Sequence, residues 1–284
     1  MFSLMSLWST RYARLSLTKL SLKVVIVIGL CGGIFLPSPP VAAATSPRII
    51  SLTPHATEML FAAGAGEHIV ATVDASDFPV QAQDIPKLGD GLNTSVEHVL
   101  QWQPDWVVGW PSSLMDQLKS LGIETLVLEP QSLEELAAQV QTIGKQFDTA
   151  TEAETRSQGL RAQAAALQAE VAASGPVRVA ILASPDAQFV LGQHALINDV
   201  LARCGAVNVF AQTLSAAPTV SLESLLAARP TVIFSGYPPP QWLTARFEVS
   251  VIDPDWLYRP GPRFLNAAER ICTKVQQVGQ SVGR

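Results

Sequence analysis

Carboxylate and aromatic side chains follow several of the predicted strands, and these are the residues of the chain whose types could do chemistry. Ligands of open α/β proteins bind at the carboxyl ends of the strands, so such residues are expected to line a common site. Aromatic faces there would grip a large, flat, partly apolar ligand, while carboxylates would orient its polar rim. The candidate ligand-binding residues are Asp77, Phe78, Asp90, Trp110, Phe189, Asp255 and Trp256.

The same carboxylates could serve a secreted hydrolase, with Asp77, Asp90 or Asp255 as acid and base. However, the chain offers no paired nucleophile and lacks the G-x-S-x-G, H-E-x-x-H and phosphate-loop motifs. We therefore predict that it is not an enzyme. The four histidines show no metal-ligand spacing, and no metal site is predicted. His55 and His194 each stand at a predicted helix start, and a role for either as a cofactor ligand remains an alternative.

One stretch of the chain occurs twice: residues 95–108 are echoed by residues 221–234, 126 residues later. A duplicated αβ unit predicts two similar lobes, and two lobes form a cleft. Glu97 and Glu223 occupy matching positions, each two residues after a serine that can cap a helix. The helix dipole alone explains one such glutamate. Its duplication favours two carboxylates that dock onto two arginines of a symmetric partner.

Short strands that alternate with helices position these residues, a pattern typical of an α/β fold. Between the two repeats, the run Ala150–Ala173 is rich in Ala, Gln and Glu and predicts one helix about 36 Å long. We expect two similar αβ lobes joined by one long rigid α-helix, with the ligand cleft between the lobes. The predicted boundaries are 1–44 for a signal peptide, 45–148 for the N-terminal lobe, 149–175 for the connecting backbone helix and 176–284 for the C-terminal lobe.

The first 44 residues have the composition of a cleaved signal peptide. Four cationic residues precede the apolar run Val24–Leu36, which is too short to span a membrane, and Val41-Ala42-Ala43 is a typical cleavage signal. Without this segment the chain carries 15 cationic against 24 acidic residues, which argues against nucleic-acid binding. Cys204 and Cys272 form an even pair in an exported chain, which favours a disulfide bond; two buried thiols are the alternative.

The order and spacing of several segments carry a family resemblance. The segments are Pro47-Arg48-Ile49-Ile50-Ser51-Leu52 with Thr57-Glu58, Ser76-Asp77-Phe78-Pro79, Pro104-Asp105, Leu121-Gly122-Ile123 and Arg259-Pro260-Gly261-Pro262-Arg263. Together they resemble the periplasmic vitamin B12-binding proteins of ABC import systems, which belong to the helical-backbone metal receptors, or class III substrate-binding proteins. The resemblance covers essentially the whole mature chain. It implies a rigid helix between two lobes, a ligand held between them and one glutamate per lobe that meets arginines of the membrane permease.

The resemblance also assigns roles to individual residues. It implies permease docking by Glu97 and Glu223, a disulfide between Cys204 and Cys272, and corrin contacts from Trp110, Phe189, Asp255 and Trp256. The chain departs from the family pattern at Ala75, at Gly89-Asp90 and at Ala217, where the best-known members have further aromatic residues. Three missing rings would weaken corrin binding, reshape the site for a different corrinoid or indicate another ligand.

We therefore predict a periplasmic substrate-binding protein that captures cobalamin, or a related corrinoid, and delivers it to the permease dimer of an ABC transporter. The free protein is expected to be a monomer without a cofactor. The alternative within the same fold is a haem or ferric-siderophore receptor. Such a receptor would offer iron a side chain from among Tyr237, Tyr258, His55 and His194.

Overall fold

The computed structural model of the protein describes residues 46–91, 93–167 and 175–282. The predicted signal peptide lies outside the described residues, as do residues 168–174 of the predicted connecting helix. Within the described ranges, no helix combines the length and apolar character that crossing a membrane requires.

The first sheet contains four parallel strands: Ile49–Ser51 (β1), Ile69–Thr72 (β2), Trp106–Gly109 (β3) and Glu124–Val127 (β4). Their order in the sheet is β2-β1-β3-β4. The chain leaves β1 in one direction and returns to its other side, so β1 and β3 flank a topological switch point. The helices of this lobe are Pro54–Ala62 (α1), Val96–Leu100 (α2), Ser113–Ser120 (α3) and Leu133–Gln146 (α4).

The helix Ala150–Ala166 (α5) follows and leads to the second sheet. It buries Ala153, Leu160 and Ala164 along one face. Its 17 residues span about 26 Å. Because residues 168–174 are not described, one unbroken rod as far as Ala173 stays a prediction.

The second sheet repeats the first. Its strands are Val177–Ile181 (β5), Ala206–Asn208 (β6), Val232–Ser235 (β7) and Val249–Val251 (β8), all parallel and in the order β6-β5-β7-β8. Its helices are Ala195–Arg203 (α6), Leu222–Ala228 (α7), Gln241–Thr244 (α8), Pro254–Leu257 (α9) and Phe264–Val282 (α10). The same strand order in both sheets confirms the two similar αβ lobes that the repeat predicts.

An arginine before β1 and an arginine within β5 close the same turn in each lobe. Arg48 donates from Nη2 to the carbonyl oxygen of Trp102 at 2.7 Å. Arg178 donates from Nη2 to the carbonyl oxygen of Ala228 at 2.6 Å. The two acceptors stand at the same offset as the two repeated glutamates, so the duplication extends to side-chain contacts.

One hydrophobic core runs through both lobes. It includes Met59 of α1, Val140 of α4, Leu160 of α5, Leu201 of α6 and Ile271 of α10. Each lobe has a second, smaller core on the other face of its sheet. A large apolar interface between lobes restrains their relative motion. The shared core therefore supports a nearly rigid pair of lobes whether or not the connecting helix is continuous.

A disulfide bond joins Cys204, at the end of α6, to Cys272 in α10, with the two Cα atoms 4.8 Å apart. Both residues are buried, and the bond closes a loop of 68 residues. The predicted pairing is confirmed. Within the second lobe, the bond fastens α10 to the end of α6.

Candidate functional site

Trp110 stands directly after β3, at the switch point of the first sheet, and rests on a buried histidine. The ring centroids of Trp110 and His55 are 4.7 Å apart. His55 lies in the first turn of α1, and its Nε2 donates to the carbonyl oxygen of Leu128 at 2.9 Å. Burial lowers the pKa of His55 to about 4, although the Leu128 bond opposes the shift. His55 is thus a neutral support for Trp110, which remains 45% exposed. A buried ring with this bond is poorly placed to bind iron.

Four buried hydroxyl groups fix the loop that follows β2. Thr57 Oγ1 lies 2.8 Å from Ser51 Oγ, 2.8 Å from Thr72 Oγ1 and 2.9 Å from Ser76 Oγ. Lys87 Nζ also donates to the carbonyl oxygen of Ser76 at 2.8 Å. The residue after Ser76 is Asp77, so this network sets where the candidate pair Asp77-Phe78 can lie.

Asp77 and Asp255 are held by the same arginine. Arg259 Nη1 donates to Asp77 Oδ1 at 2.6 Å, and Arg259 Nη2 lies 2.8 Å from Asp255 Oδ1. Asp77 follows β2 of the first lobe, whereas Asp255 and Arg259 follow β8 of the second. Residues beyond the carboxyl ends of the two sheets therefore meet here. Burial is the largest single influence and raises the pKa of Asp77, but the hydrogen bond from Arg259 and the charges of Arg259 and Arg263 together outweigh it, so the pKa lies below its usual value.

A third carboxylate, Glu58, lies beneath this contact. It is 3% exposed, and Arg263 Nη2 donates to its Oε1 at 2.7 Å, while Arg259 Nη1 lies 3.8 Å from the same oxygen. Burial raises the pKa of Glu58, and both arginines oppose the shift. We call Glu58, Asp77, Asp255, Arg259 and Arg263 the interlobe ion cluster.

Sequence reasoning missed the interlobe ion cluster as a unit. Asp77 and Asp255 are predicted to lie at a ligand site. Glu58, Arg259 and Arg263 enter the sequence analysis only as parts of the segments that carry the family resemblance. The sequence separation of 201 positions between Glu58 and Arg259 hides the pairing, because no local pattern connects them. The signal that could have found it is one buried glutamate in an apolar helix, which needs a cationic partner.

Phe78 and Phe189 present exposed rings in different lobes, with exposed fractions of 43% and 41%. The Arg263 guanidinium covers the Phe78 ring at 4.3 Å from its centroid. Phe189 lies in the loop after β5, where the amide of Ala183 donates to the carbonyl oxygen of Phe189 at 2.8 Å. An isolated bridge to Thr219 ties the same loop to the segment that precedes α7. Both rings are accessible to a ligand.

Asp90 and Trp256 have local partners. Asp90 is exposed and accepts hydrogen bonds from the amide of Asn93 at 3.0 Å and from its Nδ2 at 2.8 Å, which closes a turn. Trp256 is half-buried against the shared core. It borders a groove of about 330 Å³ whose other walls include Arg270 and Lys274 of α10. Contact of Asp90 and Trp256 with a ligand stays a prediction.

The side chains of Tyr258 and His194, two of the candidate iron ligands, form hydrogen bonds with the backbone. Tyr258 donates from its hydroxyl to the carbonyl oxygen of Leu182 at 2.7 Å and accepts from the amide of Gly236 at 2.8 Å. Its ring stacks on Tyr237 with the centroids 5.6 Å apart, and burial raises its pKa to about 12. His194 accepts from the third amide of α6 as an N-cap, and burial lowers its pKa. Among the described residues, no three His, Cys, Asp or Glu side chains are grouped to hold a metal ion.

Glu97 and Glu223 are both exposed and sit at the same place in α2 and α7. Bonds from their own amides, and then from the capping serines Ser95 and Ser221, hold the pKa of each glutamate below its usual value. Three residues beyond each glutamate stands an exposed leucine. These are Leu100, 37% exposed, and Leu226, 47% exposed. Each lobe thus presents a carboxylate beside an apolar side chain.

Comparison with known proteins assigns residues 49–239 to a family model described as periplasmic binding protein. The chain is 30% identical over 245 residues to the vitamin B12-binding protein of Vibrio cholerae serotype O1, covering 80% of this chain and 88% of that protein. The crystal structure of the periplasmic vitamin B12-binding protein BtuF of Vibrio cholerae matches with a TM-score of 0.73 and 29% identity, over 82% of this chain and 97% of that chain. The haem-binding protein RhuT from Roseiflexus sp. RS-1 has the same fold, with a TM-score of 0.69 and 22% identity over 82% of this chain and 99% of that chain.

Proposed function

The chain belongs to the periplasmic binding protein family, and we propose that it captures cobalamin, or a related corrinoid, between its lobes and delivers it to an ABC transporter permease. The observation that carries the proposal is the similarity to vitamin B12-binding proteins along 80% of the chain. Members of this family are the binding components of transport systems. We place the protein in the periplasm, exported by the signal peptide of residues 1–44. The lobes would comprise residues 45–148 and 176–284, joined by the segment 149–175.

Trp110 would form the principal ligand contact. Its ring is exposed at the switch point and is fixed from below by His55, so little side-chain entropy is lost when a corrin covers it. Phe78 and Phe189 add accessible rings from opposite lobes. Asp77, Asp90, Asp255 and Trp256 complete the proposed ligand-binding set, with the carboxylates facing the polar rim of the ligand.

Glu97 and Glu223 would dock the permease dimer. Their support is the matching position of the two side chains in the two lobes, with a leucine beside each. A two-fold symmetric partner needs the same contact twice, which this duplication supplies. The free protein would be a monomer that binds one permease dimer through both lobes. Catalysis plays no part in the proposal, because the transporter's other subunits supply the energy.

Isothermal titration tests the ligand assignment. Protein purified from the periplasm is titrated with cyanocobalamin and, in parallel, with hemin. We expect one-to-one binding of cyanocobalamin alone, and a loss of about 100-fold in affinity in Trp110→Ala, typical of a buried aromatic contact. Trp242→Ala is the matched control, since Trp242 is 37% exposed on α8 and should leave the affinity unchanged. Binding of hemin alone would overturn the ligand while leaving the family assignment in place.

A further inference from the structure

We infer that Glu58 is a positioning residue that ties the two lobes together at one edge of the cleft. It lies on α1 of the first lobe, yet both of its ionic partners, Arg259 and Arg263, come from the segment between α9 and α10 of the second. The inference rests on the lobe geometry alone; only its ligand readout rests on the proposed function.

Glu58 differs from the other carboxylates of the interlobe ion cluster in its depth. The Asp77 and Asp255 side chains are 51% and 34% exposed, whereas that of Glu58 is 2% exposed. Exposed ion pairs contribute little because water competes with them. A carboxylate removed from water depends on its partners, so the Glu58 contact is the one that resists separation.

The backbone of the second lobe is shaped to reach this carboxylate. A Cβ atom at Gly261 would lie 3.2 Å from Glu58 Oε2, tighter than ordinary van der Waals contact. Gly261 stands midway between the two arginines, so both guanidinium groups converge on Glu58 from a chain that passes directly over it. Arg263 also covers the Phe78 ring, which adds a second contact between the lobes.

Glu58 thereby sets the position of Arg259, whose guanidinium joins Asp77 of one lobe to Asp255 of the other. If Glu58 is replaced by a neutral residue, Arg259 and Arg263 lose their buried anionic partner. Their remaining partners, Asp77 and Asp255, are more exposed, and solvent screens those ion pairs. The cleft edge should then open more often. A ligand enclosed by the lobes would leave faster, while its association rate would change less.

Distance measurement between spin labels tests this coupling without any ligand. One label is placed at Lys119 on α3 and the other at Thr244 on α8, through K119C and T244C; both positions are exposed and lie in different lobes. Cys204 and Cys272, the two native cysteines that follow the predicted signal peptide, are paired and do not react. We expect Glu58→Gln to broaden the interlobe distance distribution toward longer values. The matched control Glu248→Gln breaks a 2.6 Å ion pair with Lys274 inside the second lobe and should leave it unchanged.

Two further variants keep the test decisive. If Glu58→Gln does not fold, Arg263→Gln removes the same bond from the more accessible side and should broaden the distribution equally. The double variant Glu58→Gln/Arg263→Gln should broaden the distance distribution no more than either single variant, because substitutions within one contact have non-additive effects. An unchanged distribution in the folded variants, even with a lower melting temperature, would reduce Glu58 to ordinary packing and overturn the inference.

The ligand readout separates this inference from the proposed function. We expect the dissociation rate of cyanocobalamin to rise about tenfold in Glu58→Gln, with little change in association. If the wild type does not bind cyanocobalamin, the proposed ligand fails, but the distance measurement still decides the role of Glu58. If dissociation is unchanged although the lobes separate, this edge does not retain the ligand, and that part of the inference is wrong.

Discussion

The two lobes have the same strand order but differ in how the chain leaves the first strand of each sheet. After β1 the helix α1 begins within three residues, and its first turn supplies His55. After β5 a loop of residues 182–194 intervenes before α6, and this loop carries Phe189. The first lobe thus presents a ring fixed to a helix, whereas the second presents a ring on a loop held by backbone bonds. The ring of the first lobe is therefore fixed by side-chain packing on a helix, and that of the second by the backbone bonds of its loop.

In each lobe a ring also donates to a backbone carbonyl just after a strand, but burial shifts the pKa values of the two rings in opposite directions. His55 donates to Leu128 and has a pKa of about 4, while Tyr258 donates to Leu182 and has a pKa of about 12. Both groups are neutral near pH 7. Protonation of His55 should therefore destabilise the first lobe in acid, and deprotonation of Tyr258 should destabilise the second lobe in alkali.

The largest expected effect concerns the feature in which the lobes are alike. Replacement of Glu97 and Glu223 together by arginine should abolish cobalamin uptake by cells, because both docking charges would repel the arginines of the partner. Ligand affinity should stay within about threefold, since both positions are exposed. Uptake assays and titration of the purified variant measure the two quantities. Weakened ligand binding would place these glutamates in the cleft and end the docking proposal.

The next largest expected effect, on stability, concerns a feature in which the lobes differ. Among the described residues, a disulfide bond is present in the second lobe alone. Removal of both sulfur atoms in C204S/C272S should lower the free energy of unfolding by up to about 4 kcal/mol, the chain-entropy limit for a loop of this length. Because one core runs through both lobes, urea unfolding followed by circular dichroism should remain a single transition. Two separate transitions would show that the lobes are stabilised independently.

How far the sequence predicts the fold depends on local pattern. The repeat correctly predicts two αβ lobes, and the serines before α2 and α7 cap those helices as expected. The strand β6 and the helices α8 and α9 are missed, since three or four residues carry no clear periodicity. Thr53, the residue before α1, makes no side-chain capping bond, and its carbonyl oxygen accepts the first hydrogen bond of the helix from the amide of Thr57 at 3.1 Å.

The site is harder to predict because its contacts are distant in sequence. Trp110 is predicted as a ligand contact from its place after a strand, whereas its support from His55 depends on how α1 packs beside β3. Asp77 and Asp255 are predicted as ligand contacts from their places after strands, but their bonds to Arg259 depend on tertiary structure. Composition and spacing identify which residues can act; only the packed lobes show which of them are already paired.

Acid sensitivity should distinguish the first lobe. Because the pKa of His55 falls from 6.5 to about 4 on folding, the unfolded chain binds a proton that the folded chain does not. Stability should decrease as the pH falls from 6.5 to 4, by about 3 kcal/mol. His55→Gln keeps a donor for the Leu128 carbonyl but does not titrate, so its unfolding free energy should fall less over this range. Parallel curves for the two proteins would contradict the assignment. The titration of His194 contributes equally to the stability of the wild type and of His55→Gln, so it cancels when the two curves are subtracted.

The smallest effect tests the alkaline limit of the second lobe. The pKa of Tyr258 rises from 10 to about 12 on folding, so the unfolded chain releases its proton first and stability decreases as the pH rises between these values. Tyr258→Phe should lose about 1 kcal/mol at pH 7, because the Leu182 carbonyl loses its donor. Above pH 10 deprotonation of Tyr258 should destabilise the wild type but not the variant, so their unfolding free energies should converge. The convergence should be about 1 kcal/mol, a partial effect because the ring is partly solvated.

Tyr237→Phe keeps the stacked ring and serves as the control. A constant difference between Tyr258→Phe and wild type would mean that another group sets the alkaline limit, and the opposition between the lobes would then rest on His55 alone.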